Sequence, residues 1–193
     1  KNGEWLSEII LLDRDRVEVK FLNKIKEPIN SLNIELAICL VKKNPMETIL
    51  QKATELGVSK ITPIISERTE VKELNLERAK KIIIEATEQS NQLTPPQISK
   101  TTNLKDFLKD LDSSTRLLFA DVNSKYKLET EDIKKRQSVS VLVGPEGDFS
   151  PREREQILTL SNLTSFTLSR NILRTDTAVI SAISLVNFMH NDH

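Results

Sequence analysis

The sequence predicts an α/β protein built on a mainly parallel sheet, and three observations carry that expectation. From Ile34 onward, short apolar runs alternate with longer amphipathic ones, the pattern of strands joined by helices. Residues 34–41 are apolar but for Glu35, and 139–143 but for Ser140, as expected of strands covered on both faces. Between the runs stand helix-end signals, such as Pro45 in a first turn and Gly57 just past a last one.

Taken in order, residues 4–11 and 16–22 read as two short strands, with Val17, Val19 and Phe21 alternating with charged neighbours. Asp13-Arg14-Asp15 is the turn between them. Two strands alone are marginal, so this hairpin is expected to belong to a small β domain whose earlier strands are missing. Residues 24–33, with Pro28 and two asparagines, read as a linker. Residues 34–41 form the first buried strand, 45–56 a helix and 58–65 the next strand. An amphipathic helix over 76–90 presents Ala79, Ile82, Ile83 and Ala86 on one face and stops before Pro95-Pro96. A short helix over 104–111 leads to a strand at 116–120. A strand at 139–143, a helix from Pro151, a strand at 165–168 and a helix over 175–190 complete the chain. That last helix is apolar nearly all round, which places it either in the core or in a subunit interface.

Composition excludes several chemistries. The 28 basic and 28 acidic residues cancel, so the bulk charge gives no basic arm. The single cysteine, Cys39, allows no intrachain disulfide and fits a reducing compartment. The two histidines, His190 and His193, both fall at the C-terminus, which argues against a zinc cluster or a histidine-based triad. Four glycines cannot supply a dinucleotide or P-loop fingerprint. No apolar run reaches the ~18–20 residues of a membrane span, and no signal peptide is visible. A cytoplasmic protein without metal or membrane is expected.

Three segments carry candidate chemistry. In Val143-Gly144-Pro145-Glu146-Gly147-Asp148-Phe149-Ser150-Pro151-Arg152-Glu153 a buried strand ends at a glycine. A helix then begins on an N-cap serine, a first-turn proline and a capping-box glutamate. The loop between lies at the carboxyl end of a strand, where open α/β sheets bind ligands, although a plain β–α turn would look the same. Leu168-Ser169-Arg170-Asn171-Ile172-Leu173-Arg174-Thr175-Asp176 is a second strand-to-helix junction. Thr175 is its candidate N-cap, and its two arginines suit phosphate or serve merely as surface charge. The third segment, Lys52-Ala-Thr-Glu-Leu-Gly-Val58 through Ser66-Glu67-Arg68, ends in a polar loop.

Together with Glu88-Gln89-Ser90 and Ile172-Leu-Arg-Thr-Asp-Thr-Ala178, and in this order, these motifs resemble the RsmE-type 16S ribosomal RNA uridine-N3 methyltransferases of the SPOUT superfamily. The resemblance spans residues 34–190. It implies a SPOUT domain over 31–193 whose C-terminal third forms a deep trefoil knot. Residues 1–30 would then be the C-terminal part of a PUA-like β domain, the rest of which is absent. It implies S-adenosyl-L-methionine as cofactor, a homodimer joined through the knot, and 16S rRNA or the small ribosomal subunit as partner. The cofactor would be held by Phe119, Ala120, Val143, Gly144, Gly147, Leu168, Ser169, Asn171, Ile172, Leu173, Thr175 and Ala178. RNA would meet Arg68, Arg170 and Arg174. Arg174 and Glu146 would be the catalytic pair, Arg174 stabilising charge on the uracil; Glu146, Asp176 or water would take the proton.

This inventory suits a cofactor that brings its own leaving group and needs neither metal nor histidine. The chain departs from the family pattern at Asp148, where a glycine is usual. It departs again at Ser169-Arg170-Asn171, where Gly-x-Arg is usual, at Asp176 in place of glutamate, and at Gln92. The competing readings are a non-catalytic RNA-binding SPOUT protein and a SPOUT methyltransferase acting on another RNA site.

Overall fold

The computed structural model describes residues 3–27, 32–133 and 138–191. Strands β1 (Glu4–Leu12) and β2 (Val17–Lys26) pair antiparallel. Their turn is closed by Asp13 N–H donating to Arg16 O at 2.8 Å. The second strand is longer than the sequence suggested, so Lys24 and Lys26 are strand residues rather than linker. Residues 28–31 of the expected linker lie outside the described residues. The hairpin exposes apolar side chains on both faces, among them Leu6, Ile9, Ile10, Leu12 and Ile25.

The main sheet has seven strands, and every pairing in it is parallel, as the apolar runs predicted. These are β3 (Asn33–Cys39), β4 (Lys60–Ile65), β5 (Gln97–Ile98), β6 (Thr102–Asn103), β7 (Arg116–Ala120), β8 (Ser138–Val143) and β9 (Leu163–Phe166). The order is β5-β4-β3-β8-β7-β9, with β6 also beside β4. Two elements differ from the expectation. β9 lies two residues earlier than 165–168, because Thr164 and Phe166 are the inward pair and Thr167 N–H turns away to Tyr126 O at 2.8 Å. The two-residue strands β5 and β6 are too short to show a period and had not been anticipated.

Both faces of the sheet are covered. Leu36, Ile38, Val139, Val141 and Val143 pack under α1 (Lys43–Glu55), α2 (Leu76–Gln89), the single turn α4 (Thr130–Ile133) and α6 (Thr175–Asn191). Ala37, Cys39, Leu117, Phe119 and Leu142 pack on the other side, under α3 (Leu104–Asp110) and α5 (Pro151–Leu158). Each fully buried Leu, Ile, Val or Phe is worth about 1.5–3 kcal/mol, so this three-layer sandwich supplies the bulk of the stability. α1 ends as the sequence indicated. Gly57 takes φ 81°, Val58 N–H donates to Ala53 O and Gly57 N–H to Thr54 O, which is a Schellman closure.

In α6, Val179, Ala182, Ile183 and Val186 are buried in the core, while Phe188 on another side of the helix is 65% exposed. The helix starts at Thr175, with Ala178 N–H donating to Arg174 O at 2.8 Å. The residue preceding the first helical position is therefore Arg174, and Thr175, expected as the N-cap, is the first helical residue.

Candidate active site

Because every main-sheet strand runs the same way, the loops after β4, β7, β8 and β9 gather at one edge, the carboxyl edge of the sheet. The loop after β8 is built as its sequence demanded. Ser150 Oγ accepts from Glu153 N–H and Glu153 Oε2 accepts from Ser150 N–H, so the capping box is complete above Pro151. Glu153, 6% exposed, also accepts Glu67 N–H through Oε1 at 2.8 Å. One buried carboxylate thereby fastens the loop after β4 to the start of α5. A second tie is Arg68 Nη1 donating to Gly147 O at 3.0 Å.

Within that loop a Cβ on Gly144 would stand 3.1 Å from the Phe149 ring, and Phe149 itself packs edge-on against Phe119 with centroids 5.6 Å apart. Asp148 adopts φ 58°, a left-handed conformation that Asp tolerates better than most residues, and its Oδ1 accepts Phe149 N–H. Asp148 therefore holds a conformation that glycine would adopt without strain.

Beneath the β4 loop, Cys39 is fully buried; burial pushes its thiol up to about 12, against lowering hydrogen bonds from Ser66 and Thr69.

The loops after β7 and β9 enclose a small cleft. Its walls are apolar at Ala120, Leu168, Leu173 and Ala178, and polar at Asp121, Thr167, Ser169 and Asn171, with Val122 at the rim. Asn171 N–H is accepted by Ser169 Oγ, but the N–H groups of Leu168, Ser169, Ile172 and Leu173 donate to no protein group among the described residues. Backbone donors are normally paired unless water or a ligand takes them.

Of the expected cofactor contacts, the cleft brings together Ala120, Leu168, Ser169, Asn171, Leu173 and Ala178. Phe119 lies elsewhere: its ring is fully buried in the core, leaving only its backbone at the strand end. Val143 is likewise a core side chain, Thr175 is buried, and Ile172 is 88% exposed. Gly144 and Gly147 belong to the neighbouring loop, against Phe149 and Arg68.

Arg170 and Arg174 are exposed, and neither has an ion pair or side-chain hydrogen bond among the described residues. Glu146 is also exposed, and neither it nor Asp176 forms an ion pair with Arg174 among the described residues. Asp176 accepts Thr177 N–H at 2.8 Å.

Sequence reading missed Asp121 and Arg154. Asp121, 2% exposed at the end of β7, accepts two N–H groups of Arg154, the Ser165 hydroxyl and Asn123 N–H. Burial alone would raise its pKa; the Arg154 guanidinium and the two other donors outweigh that and hold the carboxyl below the usual carboxylate range. The only sequence signal was an acid directly after a buried strand.

No group of three or more His, Cys, Asp and Glu side chains among the described residues could hold a metal, and no helix there is long and apolar enough to cross a membrane.

Comparison with known proteins places this architecture. The ribosomal RNA small subunit methyltransferase E of Rickettsia conorii is 33% identical over 191 residues, 97% of this chain and 78% of that protein. The Aquifex aeolicus protein of the same name is 40% identical over 149 residues, 74% of this chain and 63% of that protein. A crystal structure of ribosomal RNA small subunit methyltransferase E from Neisseria gonorrhoeae bound to S-adenosyl methionine superposes with a TM-score of 0.86. It is 31% identical, over 95% of this chain and 77% of that one. Residues 27–187 match the RNA methyltransferase domain family, and with that match over most of its length the chain belongs to this family.

Proposed function

We propose that this protein is an S-adenosylmethionine-dependent methyltransferase that modifies N3 of a uridine in the 16S RNA of the small ribosomal subunit. The observation that carries the reading is the cleft between the loops after β7 and β9: Leu168, Ser169 and Leu173 line it with backbone N–H groups that no protein group accepts among the described residues, on the sheet edge where open α/β sheets bind ligands. The fit to the cofactor is chemical. Ala120, Leu168, Leu173 and Ala178 offer an apolar surface to a base, and the free amides offer donors to its edge. When bound, S-adenosylmethionine supplies an activated methyl group with its own leaving group.

The chain's own residues do the rest. The loops after β7, β8 and β9 hold and orient the two reactants, which supplies much of the acceleration. Arg174, exposed and unpaired at the head of α6, stabilises the negative charge that develops on the uracil. Of the two candidate carboxylates, Asp176 accepts Thr177 N–H while Glu146 has no partner among the described residues, so Glu146 is assigned to receive the N3 proton. Arg68 and Arg170 meet the RNA backbone.

The proposal extends to assembly. After β9, at the far edge of the sheet, the chain returns so that α6 packs on α1 and β8, which supports threading of the C-terminal third as a trefoil knot. Phe188, Ile172 and Val122 are large exposed apolar residues in this region, and we assign them to a homodimer interface through the knot. The apolar faces of the hairpin support reading residues 1–30 as part of a PUA-like β domain, with 31–193 the SPOUT domain. A ribosomal substrate is the support for reading the protein as cytoplasmic.

Titration of S-adenosylmethionine, followed by incubation with small-subunit RNA and mapping of the methylated nucleotide, tests the reading. Saturable binding and one N3-methyluridine are expected. Binding without transfer would favour the non-catalytic reading, a different modified position would move the substrate, and no binding would refute the proposal.

A further inference from the structure

The two loops that enclose the cleft and the neighbouring loop after β8 follow three adjacent strands, and the ladders that align those strands stop at Ala120, Val143 and Phe166. A single carboxylate ties the loop after β7 to β9 and to α5, the helix that the loop after β8 enters. Asp121 Oδ2 accepts Arg154 Nη2 at 2.7 Å and Nε at 3.2 Å, and the Ser165 hydroxyl at 3.1 Å. Its Oδ1 accepts Asn123 N–H at 2.8 Å, and its own N–H donates to Phe166 O at 2.9 Å. Arg154 lies in α5, which the loop after β8 enters directly; Ser165 lies in β9, two residues before Thr167; and Asp121 directly follows β7 and lines the cleft. We infer that Asp121 is a positioning residue for methyl transfer, with Arg154 and Ser165 acting through it to set the spacing of the cofactor loops. The inference rests on the methyltransferase reading above.

The geometry favours a positioning role over simple reinforcement. β7 and β9 are already joined by their own parallel ladder, so the Ser165 bond adds little to that pairing. What the ladder lacks is any tie to α5, and Arg154 provides it. The Asp121 side chain is fully buried while that of Arg154 is 31% exposed, so the anion is fixed in the core and the cation reaches it from the helix. Loss of the cation leaves a buried carboxylate without its strongest partner, and the loop it ends must shift to find water.

The test uses the full chain and four variants: Arg154→Ala, Arg154→Lys, Ser165→Ala and, as a control on the exposed start of α5, Arg152→Ala. Calorimetric titration with S-adenosylmethionine and steady-state methyl transfer are the readouts. Arg154→Ala is expected to bind the cofactor about tenfold more weakly, with KM for cofactor rising more than kcat falls. Arg154→Lys should recover part of that loss, Ser165→Ala should lose about threefold, and Arg152→Ala should bind as the parent does. Ser165→Ala removes one hydroxyl and decides the matter if Arg154→Ala does not fold. Folded Arg154 and Ser165 variants with parental affinity would overturn the inference while leaving the methyltransferase reading intact. A parent chain that bound no cofactor would overturn both.

Discussion

Glu153 is the side chain on which the carboxyl edge most depends, and Glu153→Ala is the perturbation that measures it. The carboxylate is 6% exposed and accepts two backbone N–H groups, that of Ser150 at 3.0 Å, 3 residues away in sequence, and that of Glu67 at 2.8 Å, 86 residues away. A hydrogen bond to a charged group is worth about 1.5–3 kcal/mol net. The Ser150 N–H is buried and would go unpaired, whereas the Glu67 N–H is partly exposed and can turn to water, so the lower end applies to it. The expected loss is about 3 kcal/mol, roughly 6–12 °C in Tm for a chain of this size. Glu153→Gln keeps one acceptor oxygen but presents its amide group to the other donor, so about half the loss should remain. Urea or thermal unfolding monitored by circular dichroism reads both. A Glu153→Ala protein within about 0.5 kcal/mol of the parent would refute the argument that this carboxylate joins the two loops.

Other expectations follow from the same geometry. Asp148→Gly should change stability by less than about 1 kcal/mol, because relief of the left-handed φ offsets the lost bond to Phe149 N–H; Asp148→Val should cost about 2 kcal/mol, measured by denaturant titration. Arg174→Ala should keep cofactor affinity within about twofold and lose most methyl transfer, about 100-fold or more; unchanged turnover would remove Arg174 from the mechanism. Tyr126, the only tyrosine, donates to Asp132 at 2.9 Å, and that bond to a carboxylate pushes its pKa up to about 12. Alkaline titration followed by tyrosinate absorbance should show no step near the ordinary value of about 10, and Asp132→Asn should bring it back toward that value. Asp121 has a depressed folded-state pKa, so it binds its proton less readily folded than unfolded; its stabilisation is present above the unfolded value and lost as pH falls through the folded one. Acid unfolding should therefore be less steep in Asp121→Asn than in the parent.

Much of this could be read from local chemistry. Ser150, Pro151 and Glu153 announced a helix start, Gly57 a helix end, and the run 116–120 a strand, because each signal lies within a few residues of its consequence. The errors have a common cause. β9 was displaced because an edge strand of four residues shows only one inward pair, and what ends it is a bond to Tyr126, 41 residues upstream. Thr175 looked like an N-cap, yet the hydrogen bonding starts one residue earlier, at Arg174. The site was legible as loops and not as geometry: the glycine loop and the Ile172-Leu173-Arg174 segment stood out, but nothing local links Asp121 to Arg154. Their pairing exists only because parallel strands bring the ends of β7, β8 and β9 to one edge.

The buried thiol under that edge gives the protein its own reporter. Cys39 is the only cysteine, fully buried on the central strand β3, and its raised pKa keeps it protonated at neutral pH, so alkylating reagents cannot reach or use it in the closed protein. Its hydrogen-bonding neighbours, Ser66 and Thr69, bracket the residues that Glu153 and Gly147 hold. A motion that frees the loop after β4 takes Ser66 and Thr69 from the thiol and is expected to expose it. The rate at which a thiol reagent labels the native protein therefore counts openings of the active-site edge without an introduced probe, and a ligand that locks those loops should slow it.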